Sequence, residues 1–436
     1  MNPPLSRRHF IAAASALAAS TSARAAQPTF APDFLWGAAT AGHQAEGQNT
    51  NSDTWFLEHV RPTIFAESSG DACNSFHLWP EDMDIVRSLG LNTYRFSLEW
   101  ARIEPAEGEF SIAMLDHYRR MIAGCRERGI TPMVTFNHFT SPRWFAAKGG
   151  WEAPTAPAQF ARYCERAARA LAENIGYATT LNEPNILRVL QWLPLPFPKS
   201  MMETQQAMLR EAARQCGVAK FSAANVGDAD AIWAPMLAGH AAGYQAIKNV
   251  RPSLPVGVSI SMTDDQAVGD PARRDAKRRL VYEPWLQEAA QHADFLGVQN
   301  YGRSRIDANG VLPPPPDAVL NQQHEEFYPA SLEGAVIYAH QVSGKPIIVT
   351  ENGIATADDT MRVRYIPLVM QGLGRAIAAG VPVLGYVHWS LLDNFEWIFG
   401  YGPKLGLCSV DHTTFKRTPK PSAYVYRDIV KRNGAA

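Results

Sequence analysis

The residues Ala178-Thr179-Thr180-Leu181-Asn182-Glu183-Pro184 read as a short β run, apolar and β-branched, that ends in an amide, a carboxylate and a proline. Proline has no N–H to give a sheet ladder, so the strand stops and leaves Glu183 at its carboxyl end. A later stretch, Pro346-Ile347-Ile348-Val349-Thr350-Glu351-Asn352-Gly353, has the same order of buried β run, carboxylate and turn signal. In a parallel α/β barrel the carboxyl ends of the strands carry the chemistry. Two strand-end glutamates raise the question whether they face each other across one barrel.

Outward from these stretches, strand-like and helix-like runs alternate. Residues 34–39, 91–97, 130–136, 177–181, 256–261, 294–299, 347–350 and 383–388 read as β. Helical patterns lie between them at 81–89, 112–128, 158–174, 236–249, 283–291 and 361–379, the first two closed by Gly90 and Gly129 in the usual helix-stop position. Alternation of this kind implies parallel strands with crossover helices, and eight strands imply closure. The expected fold is a single (β/α)8 TIM barrel with rim-loop insertions. The Pro-rich pieces at 193–198 and 313–316 follow strands four and six, so they read as rim loops and not as interdomain linkers.

A chain of 436 residues with a net charge of −1 has no global field to recruit nucleic acid or an anionic membrane. The basic cluster Arg273, Arg274, Lys277, Arg278 and Arg279 is local and reads as a solvated helix face. The five cysteines, Cys73, Cys125, Cys164, Cys216 and Cys408, are scattered, odd in number and without metal-ligand spacing, so they read as mostly buried small apolar residues.

The first residues differ in kind. Ser6-Arg7-Arg8-His9-Phe10 is a basic start, residues 11–19 are a short Ala-rich apolar run, and Ala23-Arg24-Ala25 has the small residues that a signal peptidase reads. The run is too short for a stable membrane anchor. The paired arginines resemble a twin-arginine signal, which implies the twin-arginine export machinery as a partner and a periplasmic or secreted destination. Residues 1–25 are thus expected to be an export signal and 26–436 the barrel.

The strand ends are polar. The first is followed by Gln44 and Glu46, the second contains Arg95, and the third runs into Asn137-His138. Asn182-Glu183, Gln299-Asn300-Tyr301, Glu351-Asn352 and His388-Trp389 follow in turn. Two carboxylates facing a cleft are what hydrolysis of a glycosidic bond requires: one protonated to help the leaving oxygen depart, the other ionised. Asn182 can donate to a sugar hydroxyl, Arg95 and Tyr301 can stabilise an ionised Glu351, and Gln44, His138 and Trp389 can position hydroxyls. This chemistry calls for no cofactor, and no Gly-rich phosphate loop follows the first strand.

The same residues resemble the family 1 glycoside hydrolases, retaining β-glucosidase-like enzymes. The matching motifs are FLWGAATAGHQAEG (34–47), YRFSLEWARIEP (94–105), TLNEP (180–184), TENG (350–353) and WSLLDNFEW (389–397). The resemblance implies that Glu183 is the general acid and base and Glu351 the nucleophile. It implies that Gln44, His138, Asn182, Trp389, Glu396 and Trp397 line the sugar subsite, with Glu396 bridging two hydroxyls. Relatives acting on 6-phosphorylated sugars lack that carboxylate, so Glu396 points to an unphosphorylated β-glycoside. The implied activity is exo-hydrolysis, with transglycosylation, or an exported sugar binder without turnover, as alternatives. The chain departs from the family pattern at Phe139, Gln299 and Lys404-Leu405.

Overall fold

The structure, a computed structural model, describes residues 30–194 and 197–433. The export-signal reading of residues 1–25 lies outside the described residues. Eight parallel strands close into one barrel: β1 (Leu35–Ala39), β2 (Thr93–Ser97), β3 (Thr131–Asn137), β4 (Tyr177–Asn182), β5 (Val256–Ser261), β6 (Phe295–Gln299), β7 (Ile347–Asn352) and β8 (Val383–Trp389). Each pairs with the strand next in sequence. Strand β8 closes onto β1, with Leu35 opposite Gly385 and Ala39 opposite Trp389. The eight strands are those read from the sequence.

The outer helices are α1 (Ser75–Ser88), α2 (Ile112–Glu127), α3 (Ala156–Leu171), α4 (Trp233–Val250), α5 (Glu283–His292), α6 (Ser331–Ser343), α7 (Asp359–Ala378) and α8 (Pro421–Lys431). Helix α3 shows why they pack: Phe160, Tyr163, Cys164, Ala167, Ala168 and Leu171 recur at three- and four-residue spacing and are buried on one face. Inside the barrel, Leu35, Met133, Phe295, Ile348 and Val387 form a separate apolar cluster, with Tyr177 and Leu384 packed against it. Above this floor the interior turns polar. Thr135 and Thr179 share a hydrogen bond of 2.8 Å, and Arg95 is buried at 1% exposure.

Helices α6 and α8 lie in stretches that the sequence reading did not name as helical, and the structure departs from that reading in three further places. Helix α1 begins at Ser75, upstream of the expected start at 81, and runs through Pro80. A helix at Lys199–Cys216 follows the Pro-rich piece after β4. Its buried Met208, Ala212 and Ala213 join Leu57, Phe65, Phe221 and Phe395 in a rim core that supports the loops around the mouth. The basic cluster is not simply a solvated face. Lys277 is buried and ion-paired with Asp265 at 2.6 Å, also reaching Thr263 and Ser304. That pair fastens a small parallel sheet, Asp264–Ala267 with Arg303–Ile306, above β5 and β6. Among the described residues all five cysteines are free, four of them buried, with Cys216 half-buried.

Candidate active site

Both glutamate-bearing strands are irregular beside the glutamate. Along β4, Thr179 pairs with Gly257 but Asn182 with Ser259, so β4 carries one more residue than β5 over that interval. Along β7, Val349 pairs with Val298 but Glu351 with Gln299, again one residue extra. Such bulges re-aim the next side chain. Glu183 then adopts φ +44°, the left-handed region, which is uncommon for a residue with a Cβ and is held here by its N–H on Ser259 O at 2.8 Å. Both glutamates are buried, at 8% and 4% exposure.

Their surroundings differ. Glu351 accepts a hydrogen bond from Arg95 Nη1 at 2.5 Å on Oε1 and from Tyr301 Oη at 2.7 Å on Oε2. Burial pushes its carboxyl up, while Arg95 and Tyr301 pull it down. Glu183 has the Ser261 hydroxyl beside it and Arg95 further off. Burial first, then the charge of Glu351, pushes it up. Two carboxyls in one buried site cannot both ionise freely. The shared proton belongs on Glu183, which has fewer donors to hold a negative charge.

Arg95 also organises Asn182. The Asn182 Oδ1 accepts from Arg95 Nη2 at 2.5 Å and from Gln299 Nε2 at 2.8 Å. With its oxygen so occupied, the amide turns Nδ2 toward His138 Nε2 at 3.3 Å, free to donate. Burial, then the charges of Arg95 and His43, lower His138 well below the ordinary imidazole value, so it is neutral. Its ring lies parallel to Trp389 at 5.7 Å and to Trp397 at 6.1 Å. Flat, parallel aromatic faces suit the C–H face of a sugar ring. Gln44 donates from Nε2 to Phe395 O at 2.8 Å and to Glu396 Oε2 at 3.3 Å, while its own Oε1 is buried without a partner. Burial and the charge of Glu351 push Glu396 up to about 8, against the pull of Gln44. Among the described residues no group of three or more His, Cys, Asp or Glu has the spacing to hold a metal ion.

Of the residues named from the sequence, the structure brings Gln44, Arg95, His138, Asn182, Glu183, Tyr301, Glu351, Trp389, Glu396 and Trp397 together, with Tyr301 engaged on Glu351. The departures have roles of their own. Gln299 holds Asn182, Phe139 packs edge-on to Trp397 at 5.2 Å, and Leu405 joins Trp389 in the inner cluster. Ser261 was missed; it ends β5, the one strand whose carboxyl end drew no comment, because a lone serine carries little signal.

Tyr301→Phe is expected to raise the pKa of Glu351, since the lost hydrogen bond stabilises the ionised form. The acid limb of kcat/KM moves to higher pH, and the rate at optimum falls by about 10- to 100-fold. A pH–rate profile of the variant checks this, and an unmoved acid limb would detach Tyr301 from Glu351.

Comparison with known proteins adds the following. The model described as Glycosyl hydrolase family 1 matches residues 26–279 and 286–435. The thermostable beta-glucosidase B of Thermobispora bispora is 30% identical over 470 residues, covering 95% of this chain and 93% of that protein. Among solved structures, beta-glycosidase BGL167 is 46% identical with a TM-score of 0.88, covering 93% of this chain and 98% of that one. Beta-glucosidase 1317, in its apo form, is 42% identical, also with a TM-score of 0.88, covering 92% and 98%.

Proposed function

Because this chain belongs to glycosyl hydrolase family 1, as a β-glucosidase-like retaining glycosidase, we propose that Glu351 is its nucleophile and Glu183 its general acid and base. The observation that carries this is the asymmetry between the two: Glu351 is held by Arg95 and Tyr301, whereas Glu183 sits under Glu351's charge with few donors. Glu351 attacks the anomeric carbon as Glu183 gives its proton to the departing oxygen. Glu183, now ionised, takes a proton from water, which attacks the glycosyl-enzyme and releases the sugar with its configuration retained.

The substrate is an unphosphorylated β-glycoside cleaved from its non-reducing end. Gln44, His138, Asn182, Trp389, Glu396 and Trp397 hold the terminal sugar, and the carboxyl of Glu396 disfavours a phosphate there. The test is the initial rate on aryl β-glucoside, galactoside, fucoside, mannoside and 6-phosphoglucoside. Turnover is expected on an unphosphorylated member, with a bell-shaped pH profile. The alkaline limb reports deprotonation of Glu183, whose raised pKa keeps it an acid near neutrality, and the acid limb reports Glu351. A preference for 6-phosphoglucoside, or silence across the panel, would overturn the assignment.

We also propose, from the N-terminal sequence, that the enzyme acts outside the bacterial cytoplasm and is exported already folded. Support comes from the Arg7-Arg8 pair, the apolar run behind it and the small residues at 23–25. In fractionated cells the activity is expected outside the cytoplasm, and Arg7→Lys with Arg8→Lys is expected to keep it inside. Activity that stays cytoplasmic with the native signal would reject export.

A further inference from the structure

Behind the sugar-facing side chains lies a layer of buried polar groups that the mechanism does not use. Its centre is Glu99, just after β2 and fully buried. Glu99 Oε1 accepts from the His43 N–H at 2.9 Å, and Oε2 accepts from Asn49 Nδ2 at 2.6 Å and Thr140 Oγ1 at 2.8 Å. One carboxylate thus joins the short helix Gly42–Ala45, which bears Gln44, to the loop after β3, which bears His138. The fit is close. A Cβ on Gly42 would stand 2.5 Å from Glu99 Oε1, so only glycine admits the carboxylate there.

The link continues through His43. Its Nε2 meets Glu58 Oε1 at 2.8 Å, and its Nδ1 faces Asn49 Nδ2 at 3.3 Å. Glu58 is itself fixed, its Oε2 accepting from the Ser69 N–H at 2.9 Å and hydroxyl at 2.8 Å. The imidazole lies parallel to Trp397, 5.7 Å between ring centres and 8° between planes. Burial alone would lower His43, but the hydrogen bond and charge of Glu58, with Glu99 and Asp53 behind, raise it. The ring is pinned on one side and presents a face to Trp397 on the other.

We propose that Glu99 and His43 are positioning residues that set which sugar epimer the enzyme accepts. Glu99 locks the Gln44 turn to the His138 loop, and His43 carries that lock to Trp397. This rests on the reading of Gln44, His138, Glu396 and Trp397 as the sugar subsite. Epimers differ only in the direction of one hydroxyl, so discrimination needs partners held to within about half an ångström. None of the three groups that Glu99 and His43 fix is fixed by the catalytic pair.

The test is calorimetry on the full chain with two iminosugars, deoxynojirimycin and its galacto-configured epimer. The readout is the ratio of their dissociation constants. Partial unfolding lowers the number of sites but leaves that ratio unchanged, which separates positioning from a loss of structure. The parent protein is expected to discriminate strongly in one direction. Glu99→Gln, which sets an amide N–H against a donor, and His43→Phe, which keeps a ring but loses Glu58, are expected to shrink the ratio by about tenfold. Thr140→Val removes one bond to Glu99 at constant shape and should shrink it less, while Thr140→Ser, which keeps the hydroxyl, should retain it. Variants that bind both sugars more weakly at an unchanged ratio would overturn the proposal, as would a parent protein that binds both equally. A parent protein that binds neither would overturn the subsite reading itself.

Discussion

Replacing Glu351 by alanine is expected to lower kcat/KM by about 10⁵-fold, or about 7 kcal/mol of transition-state stabilisation. The side chain is aimed by the β7 bulge and held at both oxygens by Arg95 and Tyr301. The variant should still fold. Arg95 keeps Asn182 and Thr135 as partners, and the site loses a charge that pushes both Glu183 and Glu396 up. In the variant those two carboxyls should titrate at lower pH. Initial rates on an aryl glycoside, with near-ultraviolet circular dichroism as the check on folding, decide the matter. Residual activity above about 1% would move the nucleophile elsewhere.

Glu183→Ala has an effect that depends on the leaving group. Where the departing oxygen needs a proton, the loss is expected to reach about 10³- to 10⁴-fold in kcat. With a strongly acidic phenol the first step needs no proton, so water attack on the glycosyl-enzyme becomes limiting and intermediate accumulates. Azide needs no general base. Added to the variant it should restore turnover and yield the β-glycosyl azide, because it enters from the face that the aglycone left. An α-azide would contradict the order of two inversions at the anomeric carbon. The alkaline limb of the pH profile should vanish in the same variant.

The two glutamates are legible in the sequence because each ends a strand at a residue that stops the sheet, Pro184 in one case and Gly353 in the other. Many of the groups around them are legible as polar strand ends, but how those groups contact one another is not, because the contacts are built across the barrel and not along the chain. Arg95, Asn182 and Gln299 come from β2, β4 and β6, and their contacts join residues 87 and 117 positions apart. The bulges that turn the glutamates inward arise from register against a neighbouring strand, which no local pattern records. The helix at Lys199–Cys216 buries only Met208, Ala212 and Ala213, too narrow a stripe to stand out behind a Pro-rich piece. Lys277 was misread because a run of charges does not show which one of them turns inward to meet Asp265. The resemblance in five ordered motifs supplied the roles of Glu396 and Trp397, which strand-end reasoning alone would not have found.

The two ends of the described chain are tied together. Asn433 Nδ2 donates to Phe30 O at 2.6 Å, and Trp36 Nε1 donates to Asn433 Oδ1 at 3.2 Å. Phe30 leads into the amino end of β1, and α8 returns the chain to that same end of the barrel. Residues 30 and 433 therefore both lie at the face opposite the sugar-binding mouth. Residues 30–433 are in this sense a ring with a small opening, so joining residue 433 to residue 30 and cutting a rim loop would alter connectivity while leaving every stave in place.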